Sequence, residues 1–554
     1  MRLCFWLMMV VSLVGRAQHY PQDVFQSPLD IPLILSGTFG ELRHNHFHAG
    51  VDFKTQGREG LSVRAAAEGY VSRVKVSPVG YGLAVYIDHP NGYTTVYGHL
   101  RSFYPELEQY VEQLQQQMES YAIDVYPEPG RLPVAQGQFI GESGNSGSSG
   151  GPHLHFEVRD TESEVPLHPL LFGFPVRDDR PPVLQTLYVY EKAAGALRPT
   201  RKIMAVEPAG AAYRIRHTSD TLLVTAPRVA FGLYTYDRAN GANNRNGIYR
   251  LQMHVDDTIH YSFTMDAVPF HESRYINSHI DYCYQRQSRR RIHTCYQQPG
   301  NFLSVYDSMR NNGWLHLSPG KAVPVHFTVA DPMGNSRALA FRIKYTGTTA
   351  NTRIGAGEAW APQHTHRYAD SLFTCTLPAW SLYDTLQVSV WQQSTSPPVY
   401  AVGEDCVPLH YGIDVALQAA HVPERLRNKA VVIVKREGVD YWQQSFWKGD
   451  WLHANSPYFG VYRVGYDTIP PVVSVLRELK AGQRVAFRIR DAGRGIAAYR
   501  ATVNGQWIKL AYDAKRALLT GRLPQPGKAE AEQIFRLEVS DGCDNLTIVE
   551  QPIK

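Results

Sequence analysis

The 554-residue sequence lacks several features that define common protein classes. It has no CxxC pair, which argues against a zinc site built from cysteines, and no HExxH segment, which would supply two ligands and a glutamate base. The formal charge of +5 is small for this length and does not require a nucleic-acid partner. The apolar run over residues 3–14 is too short to cross a bilayer. The chemistry must therefore come from other residues.

Residues 1–17 are predicted to be a secretory signal peptide. One arginine precedes the apolar run, and the small residues Gly15 and Ala17 fit a cleavage site before Gln18. A short membrane anchor is the alternative. The prediction places the protein outside the cytoplasm, secreted or in the periplasm or cell envelope, with no membrane span after cleavage.

Five cysteines follow this segment, and some are expected to pair in an exported protein. Cys283 and Cys295 flank a short arginine-rich segment and are predicted to form a disulfide. A second bridge is predicted between Cys375 and Cys406, which would leave Cys543 as a free thiol.

The composition favours a mostly β protein. Glycine, proline and tyrosine are plentiful, and short alternating segments are bounded by turn residues. The length predicts several domains. Repeated strand–turn–strand patterns predict immunoglobulin-like β-sandwiches after the first domain. The predicted units are a first domain at 18–175, sandwiches at 180–347 and 468–554, and a strand-rich module at 348–467 that is also expected to be a sandwich.

One helix is predicted inside the first domain, over about residues 105–122. Apolar and aromatic side chains recur there at helical spacing, at Leu107, Tyr110, Val111, Leu114, Met118 and Tyr121. The helix is either a partial lid or docking face for a regulator, or an amphipathic helix packed on the side of the domain.

Residues 44–53, HNHFHAGVDF, combine three alternating histidines with an aspartate. On a straight strand His48 and Asp52 would lie about 13 Å apart, too far to share one ion. A shared metal therefore requires the chain to bend between them, and Gly50 supplies the necessary freedom.

A second cluster, GPHLHFEV, places His153 and His155 two residues apart. On a strand both face one side, while the apolar residues between them enter the core. The imidazoles would lie about 7 Å apart, so one fits as a ligand and the other as a catalytic neighbour. Glu157 falls on the histidine side, where it either supports a ligand or is a surface carboxylate. His99 ends a strand of a predicted hairpin.

These segments, HFHAGVDF, YGHL and GNSGSSGGPHLHFEV, together resemble the M23 zinc metallopeptidases of the lysostaphin and LytM type. The resemblance covers about residues 35–160 and presents the motifs in the family's order. It implies that His48, Asp52 and His155 bind one Zn²⁺ and that His99 and His153 are catalytic. His44 and His46 fall outside this set, although His46 could line the cleft.

The resemblance implies an endopeptidase that hydrolyses the stems or crosslinks of bacterial peptidoglycan. Zinc would activate water and polarise the amide, and the two histidines would transfer protons or stabilise charge. The alternatives are a catalytically silent regulator of a cell-wall hydrolase and an envelope scaffold built on the sandwiches. Peptidoglycan and an envelope protein regulator are the expected partners, and no nucleic acid is expected.

Overall fold

The computed structural model describes residues 20–217, 220–347, 357–525 and 533–554. The predicted signal peptide lies outside these residues. Among the described residues, none of the helices has the length and apolar character needed to cross a membrane. The architecture is mostly β, as the composition predicts.

The first domain is one eleven-stranded sheet with an inserted helix. The main path runs β1-β2-β10-β6-β5-β4-β7, and the remaining strands pair at its margins. The strands are β1 Leu35–Gly37, β2 Val51–Lys54, β3 Ser62–Arg64, β4 Gly69–Val76, β5 Leu83–Asp88, β6 Tyr93–Phe103, β7 Ile123–Val125, β8 Pro133–Val134, β9 Phe139–Ser143, β10 His153–Asp160 and β11 Pro166–Leu167. A short 3₁₀ helix follows at Pro169–Phe172.

Antiparallel register in this sheet brings distant parts of the sequence together. His155 on β10 lies opposite Asp52 on β2 and opposite Gly98 on β6. The alternate β10 residues Leu154, Phe156 and Val158 are fully buried in the core of the domain, as the alternation predicts. The three adjacent strands β2, β10 and β6 therefore carry the histidine face on one side and the core on the other.

The inserted helix α1 spans Pro105–Met118, slightly less than the predicted range. It begins with a proline, which fits the first turn, and is capped by Glu119, whose φ of 45° is left-handed. Leu107 and Val111 are buried against the domain, but Met118 is 56% exposed and does not join the predicted stripe. The helix packs on the sheet with only part of its apolar face.

Residues 183–345 form a twelve-stranded sheet with short helices. Its main path is β19-β16-β12-β13-β14-β23-β22-β17-β18-β20, with β15 and β21 at the side. The strands are β12 Val183–Lys192, β13 Thr200–Ala209, β14 Ala212–Ile215, β15 Thr221–Val224, β16 Arg228–Tyr236, β17 Arg250–Val255, β18 Thr258–Thr264, β19 His293–Thr294, β20 Tyr306–Met309, β21 Leu315–His316, β22 Ala322–Ala330 and β23 Ser336–Tyr345. The helices are α2 Ile276–His279, α3 Tyr282–Ser288 and 3₁₀ turns at Phe270–Tyr275 and Asn311–Gly313.

The third region has two five-stranded sheets that share one core, and a separate strand pair. A 3₁₀ turn lies at Glu424–Lys429. The strands are β24 Glu358–Trp360, β25 His366–Ala369, β26 Phe373–Leu377, β27 Leu386–Val388, β28 Val390–Thr395, β29 Pro398–Val402, β30 Pro408–Gln418, β31 Ala430–Arg436, β32 Val439–Trp442, β33 Ser445–Lys448, β34 Trp451–Tyr458 and β35 Gly460–Tyr466.

The C-terminal region has two four-stranded sheets around one small core. The strands are β36 Val472–Val475, β37 Arg484–Arg490, β38 Ile496–Val503, β39 Gln506–Trp507, β40 Leu510–Asp513, β41 Leu518–Arg522, β42 Gln533–Asp541 and β43 Leu546–Ile553. The sheets fall within the predicted domain ranges, whose exact limits and immunoglobulin-like topology stay predictions.

The predicted disulfides are wrong. Cys283 pairs with Cys406, across a sequence separation of 123 residues. Cys283 lies in helix α3, whereas Cys295 is fully buried in the core next to β19. Cys295 therefore cannot face Cys283. Cys375 is likewise buried within β26, and Cys543 is free as predicted. The bridge therefore joins the second region to the third, which local spacing could not indicate.

Candidate metal centre

The bend between His48 and Asp52 occurs where the sequence predicts it. His48 precedes β2, and Asp52 lies within that strand. A side chain at Gly50 would place Cβ only 2.3 Å from the carbonyl oxygen of Phe156. Glycine is required here because β10 passes so closely, and the bend turns His48 back toward Asp52.

Three donor atoms from His48, Asp52 and His155 converge on one point. His48 Nε2 lies 3.0 Å from His155 Nδ1 and 3.1 Å from Asp52 Oδ1. His155 Nδ1 lies 2.9 Å from the same Asp52 oxygen. Ligand atoms around a tetrahedral zinc lie about 3.3 Å apart, given metal–ligand distances of about 2.0–2.1 Å. All three residues are buried, and their spacing fits one zinc ion with little movement.

The second nitrogen of each predicted histidine ligand is held by the protein. His48 Nδ1 donates to the carbonyl oxygen of Thr38 at 2.8 Å, so Nε2 is free for the centre. His155 Nε2 lies 2.8 Å from Glu157 Oε1, which leaves Nδ1 for the centre. Such contacts fix the orientation and tautomer of a metal-binding imidazole.

Glu157 is a buried support for His155, and its assignment as a surface carboxylate is wrong. Its side chain is fully buried, and its second oxygen accepts from Arg159 Nε at 2.6 Å. The hydroxyl of Tyr81 also donates to Glu157, and the Tyr81 ring stacks on His155 with centroids 4.9 Å apart. The carboxylate is thus kept ionised and fixed below the ligand.

The electrostatics favour one positive charge among the three donors. Burial lowers the pKa of His48 to about 4, so this imidazole is neutral and able to bind a metal. Burial also opposes charge on His155, but hydrogen bonds to Asp52 and Glu157 raise its pKa to about 9. Burial opposes ionisation of Asp52 too, yet the nearby histidines hold its pKa well below the usual range. A bound divalent cation would be stabilised by the same carboxylates, Asp52 and Glu157.

His99 and His153 lie beside the same centre. His99 Nδ1 donates to the carbonyl oxygen of Ser146 at 2.9 Å, and His153 Nδ1 donates to that of Gly151 at 2.8 Å. Their rings lie 4.8 Å apart. His153 Nε2 is buried 3.4 Å from Asp52 Oδ1 and has no hydrogen-bond partner in the described part of the chain. Each ring therefore offers its Nε2 to a molecule bound beside the centre.

The remaining histidines of the opening motif lie outside the centre. His44 and His46 are exposed, and His46 Nδ1 bonds the carbonyl oxygen of His44 at 2.8 Å. Arg43 from the same segment instead contributes to the site, because its Nη2 lies 2.5 Å from Asp52 Oδ2. This contact leaves the other carboxylate oxygen directed at the histidines.

The inserted helix contacts the C-terminal region of the same chain. Glu112 pairs with Lys509 at 2.9 Å, and Glu119 pairs with Arg500 at 2.6 Å. Lys515 from that region donates to the carbonyl oxygen of Ser149 in the glycine-rich loop at 3.0 Å. Exposed pairs of this kind contribute at most about 1 kcal/mol each. The predicted docking face is therefore partly occupied internally, and gating by the helix stays a prediction.

Several supporting residues had little or no sequence signal. Arg159 could have been paired with Glu157, because residues two apart on a strand share a face. Tyr81, Thr38 and Arg43 approach through turns whose geometry the local sequence does not fix. Of the cleft glycines, 150 and 151 face open space, whereas 141, 144 and 147 pack against backbone.

Comparison with known proteins supports the resemblance to the M23 peptidases. Residues 46–117 match the model of peptidase family M23, a span that includes His48, Asp52 and His99. Residues 358–467 match the Zu5-like domain.

The curated relatives match only about a quarter of this chain, and this chain spans only about a quarter of their length. The DD-carboxypeptidase/endopeptidase Mpg of Neisseria meningitidis is 32% identical over 146 residues, which are 26% of this chain and 27% of the relative. An uncharacterized metalloprotease of Haemophilus influenzae is 34% identical over 110 residues, 20% of this chain and 18% of the relative. A solved zinc-containing peptidase from Vibrio cholerae is 27% identical, with a TM-score of 0.20, over 26% of this chain and 39% of that chain.

Proposed function

Since the N-terminal domain of this chain is an M23-type peptidase domain, we propose that the protein is an exported zinc endopeptidase that hydrolyses bacterial peptidoglycan. The observation that carries the proposal is the convergence of His48 Nε2, Asp52 Oδ1 and His155 Nδ1 within 3.1 Å of one another. Two further histidines face the same point. This donor set suits zinc with an open position for water or substrate.

The residues around the centre have separate tasks in amide hydrolysis. Zinc bound there would lower the pKa of a water molecule and polarise the scissile carbonyl. Glu157 and Thr38 hold the two histidine ligands in the orientation that such binding requires. His99 and His153 can accept the proton of the attacking water, stabilise charge on the carbonyl oxygen or protonate the departing amine. The water oxygen bonds to the carbonyl carbon, the amide C–N bond breaks, and the leaving nitrogen gains the proton taken from the water, which gives a carboxylate and an amine.

Among peptidoglycan bonds, we favour the direct crosslink between D-alanine and a diamino acid. The support is the name of the Neisseria meningitidis relative, a DD-carboxypeptidase/endopeptidase. The carbonyl oxygen of Gly151 accepts from His153, and a Cβ at Gly150 or Gly151 would meet nothing within 4 Å. An extended peptide can therefore approach the backbone closely on this side of the cleft.

The proposed location is the periplasm, the cell envelope or the medium. The N-terminal sequence has the pattern of a secretory signal peptide. The disulfide between Cys283 and Cys406 supports an oxidising compartment, since such bonds are rare in the cytoplasm.

The proposal is tested with zinc-loaded full-length protein and purified peptidoglycan, with muropeptides identified by mass spectrometry. We expect about one zinc per chain and new peptide ends at the D-alanyl crosslink, abolished by a chelator and restored by zinc. Peptidoglycan with glycine bridges serves as the comparison substrate. Bound zinc with no cleavage of either substrate would instead support the silent regulator.

Replacing Glu157 with glutamine is expected to weaken zinc binding about 10- to 100-fold. The variant keeps the shape of the side chain but removes the charge that holds His155. Zinc affinity is measured by competition with a chromogenic chelator. Glu162→Gln, at an exposed position in the turn after β10, is the control. Equal zinc affinities for the two variants would contradict the role of Glu157.

A further inference from the structure

A second polar cluster lies in the region after the peptidase domain. Asp178 precedes β12, Asp237 follows β16, and Asp331 follows β22. One carboxylate oxygen from each lies within 4.8 Å of the others. Asp237 and Asp331 are each only 2% exposed. Three carboxylates are thus held together, two of them buried and Asp178 half-buried.

No described lysine or arginine forms an ion pair with these three carboxylates, although the charge of Arg180 acts on Asp237 from a greater distance. Asp331 accepts backbone and side-chain bonds from Asn335, at 2.9 and 2.8 Å. Asp178 accepts from the backbone of Arg180 at 3.1 Å. Asp237 Oδ1 has no partner at all among the described residues. Burial and the two neighbouring carboxylates raise the pKa of Asp237 to about 8. Ionising all three carboxylates together is therefore unfavourable without a bound cation.

A fourth side chain points to a ligand independently of the acidic cluster. Asn246 is 2% exposed, and neither Oδ1 nor Nδ2 of its amide has a partner among the described residues. Its backbone exchanges two hydrogen bonds with that of Asp237, at 2.9 and 3.0 Å. Directly opposed antiparallel residues project their side chains to the same face. The unpaired amide is therefore directed into the cluster, where burial without a partner costs free energy.

We propose that the three aspartates and Asn246 bind a calcium ion. Carboxylate and amide oxygens are the ligands of a hard cation, and irregular loops suit the flexible coordination of Ca²⁺ better than that of Mg²⁺. The ion would give Asp237 Oδ1 and Asn246 Oδ1 the partner that the protein does not supply. Without histidine or cysteine, the set is unsuited to zinc.

The C-terminal region repeats the arrangement but resolves its charges differently. Asp467, Asp491 and Asp541 also converge, and Asn545 bonds Asp541 there as Asn335 bonds Asp331. Backbone amides of a short loop then donate to the other two carboxylates, including Gly495 N to Asp491 Oδ2 at 2.7 Å. Asp491 Oδ1 also lacks a partner among the described residues, but no unpaired buried amide accompanies it as Asn246 accompanies Asp237, so the proposal is confined to the first cluster.

Calcium at this position would hold the loop of residues 238–245 against the peptidase domain. Asn244 Nδ2 donates to the carbonyl oxygen of Ser36 at 3.3 Å, and Gly247 N donates to Thr38 Oγ1 at 2.9 Å. Asn244 and Gly247, which make these contacts, lie on either side of Asn246 in the sequence. The ion therefore has a structural role at the junction of the two regions.

The test is calcium titration of the zinc-loaded, calcium-free full-length protein by isothermal calorimetry. We expect one site with a Kd on the order of 10⁻⁵–10⁻³ M, a higher melting temperature in calcium and a weaker response to magnesium. Asp237→Asn should weaken binding at least about tenfold because it removes a charged ligand. Asp179→Asn, at an exposed adjacent position, should leave binding unchanged.

Two outcomes would overturn the proposal. One is a protein that takes up no calcium and gains no thermal stability at about 5 mM calcium. The other is an Asp237→Asn variant that binds as tightly as the parent, which would place the ion elsewhere. If Asp237→Asn fails to fold, Asn246→Ala provides the same test, with an expected loss of about fivefold in affinity. Neither result depends on the peptidase activity.

Discussion

Replacing His155 with alanine is expected to leave the protein without bound zinc and to lower peptidoglycan cleavage by at least about 10³-fold. His155 supplies one of three donor atoms, and Asp52 and His48 alone cannot hold the ion against competition from water. The substitution also removes the imidazole N–H that donates to the Glu157 carboxylate. Zinc is measured by inductively coupled plasma mass spectrometry, and cleavage by released muropeptides.

The matched control for this variant is His46→Ala. His46 belongs to the same histidine-rich segment but is exposed and lies outside the centre. It should retain about one zinc per chain and nearly full activity. Circular dichroism and thermal melting of both variants establish that the fold persists. Full zinc content and normal cleavage in His155→Ala would show that the ion is bound elsewhere.

Only part of the predicted site could be inferred from local, periodic patterns. Two histidines separated by one residue on a strand share a face, and a glycine between His48 and Asp52 permits the bend. The order of three motifs then indicated which residues belong together. The approach of His48 to His155, at 3.0 Å, depends on the register between β2 and β10, about 100 residues apart, which no local pattern specifies.

The support of the site was harder to predict because it depends on burial. The alternation of side chains along β10 places Glu157 on the histidine side but does not show whether it is exposed or buried. The positions of Tyr81 and Arg159, which contact its carboxylate, decide this. The disulfide illustrates the same limit. Cys295 is nearer to Cys283 in sequence, but it is buried in the core next to β19. Cys283 pairs instead with Cys406, a loop residue of another region.

The C-terminal region also contacts the glycine-rich loop, which the sequence did not predict. Lys515 donates to Ser149 O, and the Ser149 hydroxyl lies 3.2 Å from His153 Nδ1. Asn145, beside Ser146 whose carbonyl anchors His99, also accepts from Lys515. The loop that orients His99 and His153 is thus in contact with the last region of the chain, so the candidate site is best studied in the full-length protein.

Replacing either catalytic histidine with alanine is expected to preserve zinc and lower kcat about 10²- to 10⁴-fold. His153 Nε2 is buried beside Asp52 without a partner, and His99 is anchored only through Nδ1 in the described residues. Each therefore has a nitrogen available to the reacting amide. Since these interactions are made in the transition state, kcat and kcat/KM should fall together while KM changes little.

The zinc content separates this outcome from loss of the metal centre. About one zinc per chain with strongly reduced kcat is the expected result for both variants, because neither nitrogen is among the three convergent donors. Ser149→Ala is the control, since the main anchor of His153 is the carbonyl oxygen of Gly151 at 2.8 Å, and it should change kcat less than about threefold. If a variant loses zinc together with activity, the replaced histidine is a zinc ligand. If a variant retains full kcat, the replaced histidine takes no part in proton transfer.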